Sequence, residues 1–349
     1  MPTLAATVAG VTAFTEPRRP QPSYPEPSFT ALTAAAARAA HLIVDAPPFI
    51  FTDGAAAALL GDRAEELIGY HRDHASHPVL AGARAQVICR SRYTEDHLAR
   101  AAAGGVRQYL ILGAGLDSFG YRSGLASQVR VFEVDHPVTQ QWQRQALAAA
   151  QIPVPRTVTF VPADLATTSL ADVLPGTGFD PAQPALVSWL GVTMYLSRDA
   201  ISRVLAAVSA LAPGTELIAD YMLPAGMRDA AGNSYVELVG PVAAQRGEQW
   251  LTFLTPDEAS ALLARHGIEP IEHLRQRDAV SAALWQRSDS LRPTELSVLT
   301  RARVTAANGR LLERSQHGAH EPAGGGERHP WADRGVGDGP PFLVPGPRV

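Results

Sequence analysis

The chain contains no lysine; all 30 of its basic residues are arginine. That absence excludes the chemistry lysine carries: a Schiff base with a carbonyl substrate or pyridoxal phosphate, and the phosphate-gripping lysine of a P-loop. Cysteine is almost as scarce. Cys89 is the single one among 349 residues, so no disulfide closes within the chain and no cysteine-based zinc site forms. No apolar run reaches the ~18 residues of a membrane span. The N-terminal stretch MPTLAATVAGVTAFTEPRRP lacks the basic segment that opens a secretory signal. A cytoplasmic protein without a membrane partner is the expectation. A basic surplus is missing too. The net charge of −4 argues against a nucleic-acid footprint, which needs a basic stripe.

What is present is enough apolar material for a sizeable core: 46% hydrophobic against 18% charged residues. Residues 1–28, rich in Pro, Thr and Ala, read as a flexible leader, and the Gly/Pro-rich segment 307–349 reads as a disordered tail. Between them lies one domain, 29–306. It opens with Ala-rich helical runs at Thr30–His41, Ala55–Tyr70 and Ala81–Ala103, the last spanning one helix or two, which make an N-terminal helical cap over 29–104. From Gln108 strand-like and helix-like runs alternate. Strands are expected at Gln108–Leu112, Val129–Val134, Thr157–Val161, Ala185–Trp189 and Glu216–Ala219, with later runs at Glu269–Leu274 and Leu296–Val304. The pattern predicts an α/β fold: a doubly wound, mainly parallel, seven-stranded Rossmann-like sheet with helices on both faces. A lid insertion is expected near 222–255, where Trp250 and Phe253 stand either for a lid or for core.

The sharpest motif is YLILGAGLDSFGYR, Tyr109–Arg122, an apolar strand that breaks into Gly113-Ala114-Gly115 with Asp117 close behind. Such a turn holds either a dinucleotide or S-adenosylmethionine. A dinucleotide fingerprint wants G-x-G-x-x-G, but its third glycine position here is Ser118. Asp117 would also repel a pyrophosphate. S-adenosylmethionine has no phosphate and carries an ammonium and a sulfonium, so an acid in the turn helps. Gly113 and Gly115 let the backbone approach the ligand. Asp135, at the end of the next strand and about 20 residues after the glycines, can accept from ribose hydroxyls. Either ligand class needs such an acid, and Asp135 is otherwise a helix N-cap. Asp164, after the third strand, can accept from an adenine amino group while a backbone N–H meets the ring.

Together SRYTEDHL (91–98), LGAGLDSFGYR (112–122), VFEVDHP (131–137), ADL (163–165) and SWLGVTMYLS (188–197) resemble the class I S-adenosylmethionine-dependent methyltransferases. More narrowly they resemble the leucine carboxyl methyltransferase family, in its bacterial branch. The resemblance covers about residues 30–305. It implies that Gly113 contacts the methionine portion, Asp135 the ribose, and Asp164 with Leu165 the adenine. It also implies that an arginine of the cap, Arg90 or Arg92, grips the cofactor carboxylate. Leu190 stands where many relatives carry Glu, and the lysine that some relatives place near the cofactor is absent.

The acceptor is expected to be an oxygen of a small molecule or peptide terminus, a carboxylate ahead of a hydroxyl. A carboxylate needs a cationic holder, for which Arg122 is the candidate beside Arg90 and Arg92. A hydroxyl needs a base, for which His136 and Tyr195 are the candidates. Two alternatives stand beside this reading: a cofactor-binding protein with little catalysis, motivated by Leu190, and an NAD-dependent Rossmann enzyme. No metal is expected; His71, His74 and His77, next to Pro78, fit a helix end better than a metal site.

Overall fold

The computed structural model describes residues 27–306. The leader expected over 1–28 lies outside that range except for Pro27 and Ser28, which caps the first helix, and the tail expected over 307–349 lies wholly outside it. The described chain opens with α1 (Phe29–Val44), α2 (Ala56–Leu59), α3 (Ala64–Asp73) and the long α4 (Pro78–Ala103). Then follow β1 (Gln108–Leu112), α5 (Phe119–Arg122), β2 (Arg130–Asp135), α6 (Pro137–Ala149), β3 (Val158–Pro162), α7 (Leu170–Val173), β4 (Leu186–Trp189), α8 (Arg198–Ser209) and β5 (Glu216–Met222). The described residues end in α9 (Ala230–Gln245), α10 (Pro256–Arg265), β6 (Ile268–Arg275) and β7 (Ser297–Val304). The helix expected over 55–70 is broken. Gly61 takes φ +58° in a 3-10 turn over Gly61–Arg63, which separates α2 from α3.

The seven strands form one sheet in the order β3-β2-β1-β4-β5-β7-β6. The pairs from β3 to β5 are parallel, and β7 runs antiparallel to both β5 and β6. Period-two alternation splits the core between the two faces. Leu110, Leu112, Phe132, Val134, Val187 and Leu217 share one apolar cluster with Ile201 and Val204 of α8 and Leu262 of α10. Tyr109, Ile111, Val131, Leu186 and Ile218 share the other with Tyr93, Leu98 and Ala102 of α4. Helices therefore cover both faces. Strand order reverses between β1 and β4, so the carboxyl ends of these two strands open a crevice.

α1 bridges from the cap to that crevice. Its inner face, Leu32, Ala35, Ala36 and Ala39, packs with Leu59, Leu67 and Leu116. A buried ionic cluster ties it to α4: Arg84 donates to both oxygens of Asp45 at 2.9 and 3.0 Å, and Asp45 meets His41 Nδ1 at 2.9 Å. Burial opposes ionisation of Asp45, but His41 and Arg84 outweigh it and lower its pKa. After β5 the chain leaves the sheet to build α9, which runs across α4. The returning segment is stitched to the turn after β4 and to the end of β5: Leu251 and Thr252 N–H donate to Met194 O, and Leu254 N–H donates to Met222 O.

Candidate active site

The crevice widens into a cavity of about 970 Å³, bounded by the ends of β1 to β5, by α1 and α4, and by α9. At its floor Gly113 and Ala114 N–H both donate to Val134 O, at 2.8 and 3.1 Å, which locks the turn to β2. Gly113 takes φ +67° and Gly115 φ +58°. A Cβ on Gly113 would collide with the side chain of Val192, and one on Gly115 would stand 3.2 Å from Ala31 Cβ. The turn is thus pressed between the β4 exit and α1, and only glycine fits at Gly113.

Asp135 lies across this turn. Its carboxylate accepts from Gly115 N–H and, at 2.6 Å, from His136 N–H. Burial raises its pKa, and those two N–H groups pull it back. The cap of α6 is His136 instead, whose Nδ1 accepts from Val138 N–H at 3.3 Å. Asp164 accepts from Ala166 N–H at 2.9 Å and from Thr167 Oγ1 at 3.1 Å, in a turn beside buried Leu165. Asp117 accepts from Phe119 N–H at 2.7 Å, and burial raises its pKa against the pull of Arg38 and Arg122. All of Gly113, Gly115, Asp117, Asp135, His136, Asp164 and Leu165 line the one cavity.

The two cap arginines part company. Arg90 lines the cavity and donates to Asp220 Oδ2 at 3.1 Å. Arg92 does not line it; its Nε donates to Asp96 at 2.8 Å on the exposed side of α4. Two residues apart on a helix means opposite sides, so Arg92 is corrected out of the site. Arg122 is corrected as well. It does not line the cavity; it forks onto Glu95, donates to Ser118 Oγ at 2.9 Å and lies 4.5 Å over the Phe51 ring. Burial works against its charge, but Glu95, Asp53 and Asp117 outweigh it and raise its pKa. Tyr195 does line the cavity, beside Thr30 and Trp250, and burial raises its pKa. His71 also borders the cavity but is held neutral, its pKa lowered to about 4 by burial and then by Arg84. Among the described residues no cluster suits a metal ion. None of the helices there is long and apolar enough to cross a membrane.

Three contributors escape sequence reasoning. Asp220, 1% exposed at the end of β5, accepts from Arg90 and from Gly191 N–H, so it joins α4 to the β4 exit. Arg38 donates to Asp53 at 2.7 Å and to Leu116 O, while Asp53 also accepts from Ser118 Oγ at 2.7 Å; the set pins α1 beneath the glycine turn. Glu248, just past α9, accepts from Phe29 and Thr30 N–H at 2.8 and 3.0 Å. That carboxylate meets the positive end of α1 and ties the segment after α9 to α1. Nothing local marks these residues. Each is an ordinary charged residue whose partner is distant in sequence.

The family model described as Leucine carboxyl methyltransferase matches residues 31–209. The chain is 31% identical over 288 residues to the "Putative S-adenosyl-L-methionine-dependent methyltransferase YktD" of Bacillus subtilis, across 76% of this chain and 94% of that protein. It is 39% identical over 149 residues to the "Putative S-adenosyl-L-methionine-dependent methyltransferase Rv3787c" of Mycobacterium tuberculosis, across 42% of this chain and 47% of that one. Among solved structures, a "putative methyltransferase" from Thermobifida fusca YX superposes with a TM-score of 0.52 at 21% identity, over 81% of this chain and 97% of the other. That last likeness concerns the fold.

Proposed function

This chain belongs to the leucine carboxyl methyltransferase family, and from that premise we propose that it methylates an oxygen, of a carboxylate or an acidic hydroxyl, on an acceptor held in the cavity. It is an S-adenosylmethionine-dependent methyltransferase. The observation that carries the site assignment is convergence. The glycine turn, Asp135 and Asp164 come from three neighbouring strand ends, the first of them beside the point where strand order reverses, and they line one cavity.

The residues fit the cofactor. Gly113 offers a bare backbone where a side chain would collide with Val192, which suits close approach of the methionine portion. Asp135 would take the ribose hydroxyls on the acceptor capacity left by its two backbone contacts. Asp164 and the Leu165 N–H would take the adenine edge. Arg90, held by Asp220, would take the carboxylate, and Asp117 would face the cationic portion. When bound, S-adenosylmethionine supplies an electrophilic methyl: the acceptor oxygen forms the new O–C bond as the S–C bond breaks in line, and S-adenosylhomocysteine leaves.

The chain's own share is alignment and exclusion of water. No base is well placed. His136 Nδ1 accepts from Val138, so the neutral ring carries its proton on Nε2 and presents a donor there. Tyr195 keeps its proton because burial raises its pKa. These two facts favour an acceptor that ionises on its own, a carboxylate or an acidic hydroxyl. Radiolabelled methyl transfer in a cell extract, followed by mild alkali, tests the reading. Methyl esters release methanol and methyl ethers do not. Label transferred only to nitrogen or carbon would contradict it.

A further inference from the structure

Away from the strand tips the cavity changes character. Its floor there is Met194 and Met222, and one wall is α9, which presents Tyr235, Leu238, Val239 and Val242. Their spacing of three, four and seven places them on a single helical stripe. Facing them, α4 presents Val79, Leu80, Ala83 and Val87, a second stripe of the same period. Two apolar stripes normally interdigitate. Here Leu80, Leu238, Val239 and Val242 remain half-buried and face a space. The Tyr235 and Trp250 rings lie parallel, 9° apart with centroids at 6.0 Å, so one wall is aromatic. Thioethers beside such rings adapt to irregular ring edges. Polar side chains gather at the rim, among them Glu66, Tyr70, His74 and Gln86, while Leu238, Val239, Val242, Met194 and Met222 leave the space between α9 and the floor apolar. Nδ1 of His77, at the start of α4, is buried with no hydrogen-bond partner and also borders the cavity. The cations at this border are engaged: Arg90 with Asp220 and Arg63 with Glu66, while Arg246 stacks 4.0 Å over Phe29.

We propose that the acceptor is a predominantly apolar, ring-bearing small molecule seated between α9 and α4, and not a peptide terminus. The proposal rests on the methyltransferase reading and narrows its substrate. A peptide end would lay several amides against Leu238, Val239, Val242, Met194 and Met222, whose side chains replace none of their water, and each unpaired amide opposes binding. A flat apolar body loses nothing of that kind and gains from burial against Met194, Val239 and Trp250. One polar substituent at its far end would find His77 Nδ1.

The test uses the full chain saturated with S-adenosylhomocysteine. Biphenyl-4-carboxylic acid and 4-phenylphenol are titrated as probes against a short peptide ending in leucine, by calorimetry and tryptophan fluorescence. The ring probes should bind and the peptide should not. Val239→Asp, which places a charge in the apolar wall, should weaken the ring probes by about tenfold or more. Val239→Phe, which fills the space without a charge, should weaken them as well. Both variants should keep the affinity for S-adenosylhomocysteine, which also certifies their folding. Peptide binding without probe binding would overturn the proposal, and so would probe binding indifferent to both substitutions. Failure to bind S-adenosylhomocysteine at all would instead strike the methyltransferase reading beneath it.

Discussion

The two ends of the cavity are built by opposite means. At the cofactor end the shape comes from backbone. Glycines at positive φ, strand-tip carboxylates and peptide N–H groups lie within a few residues of one another in three short motifs. At the other end the shape comes from side chains on α4, on α9, beyond β4 and at the end of β5, which are scattered along the chain from Val79 to Val242. The backbone-built end has little latitude, because a Cβ at Gly113 or a lost contact at Asp135 changes the turn itself. The side-chain-built end can change its contents while the fold stands. Substitutions should therefore separate cleanly: cofactor affinity from one end, acceptor choice from the other.

The largest expected effect is at Gly113. Gly113→Val forces a β-branched residue into φ +67° and against Val192. Calorimetry should find S-adenosylhomocysteine binding lost, by about 100-fold or more, with a lowered melting temperature that reflects about 1–3 kcal/mol of backbone strain. A Val variant that binds normally would break the claim that backbone sets this end. Next comes Asp135→Ala, which should weaken S-adenosylhomocysteine by about 1.5–3 kcal/mol, the range for hydrogen bonds to a charged group. Unchanged affinity in the folded variant would move the ribose contact elsewhere. Asp220→Asn should raise KM for S-adenosylmethionine several-fold with a smaller change in kcat, because it loosens Arg90 and leaves the reacting atoms alone. A loss confined to kcat would mean that Asp220 acts on the chemistry. Asp164→Ala should cost less than Asp135→Ala, since a Leu165 N–H contact survives it.

The smallest effect is a pH signature beneath the turn. Glu133 is fully buried with Tyr121 donating to its carboxyl at 3.0 Å. Burial, then Asp117, pushes its pKa up from 4.5 to about 8. A folded pKa above the unfolded one means the fold prefers the protonated form. Its contribution is complete below pH 4.5 and is lost as pH rises through about 8. Glu133→Gln removes that titration. Melting temperatures followed from pH 5 to pH 8.5 should fall less for the variant than for the parent chain. Parallel curves would mean that Glu133 is ionised throughout.

The same contrast governs how much could be read from the sequence. The parallel strands were legible because each is a short apolar run ending in a turn, and period-two alternation covers two faces at once. That the glycine turn, Asp135 and Asp164 stand at strand ends facing one cavity was legible because each directly follows or closes a short apolar run. Arg122 was misjudged for the opposite reason. It follows the turn in sequence, but the single helical turn of α5 carries it to Glu95 on the side away from the cavity. Arg90 and Arg92 could not be separated until α4 proved continuous across both. Asp220, Glu248 and the α9 stripe depend on partners set by tertiary packing, which no local pattern records.

The central claim is that the Gly113 turn with Asp135 and Asp164 forms a site for S-adenosylmethionine and not for a dinucleotide. Calorimetric titration of the intact chain with S-adenosylhomocysteine, and separately with NAD, tests it most directly. The account predicts one-to-one binding of S-adenosylhomocysteine in the micromolar range and no heat with NAD. Saturable NAD binding with no response to S-adenosylhomocysteine would contradict it.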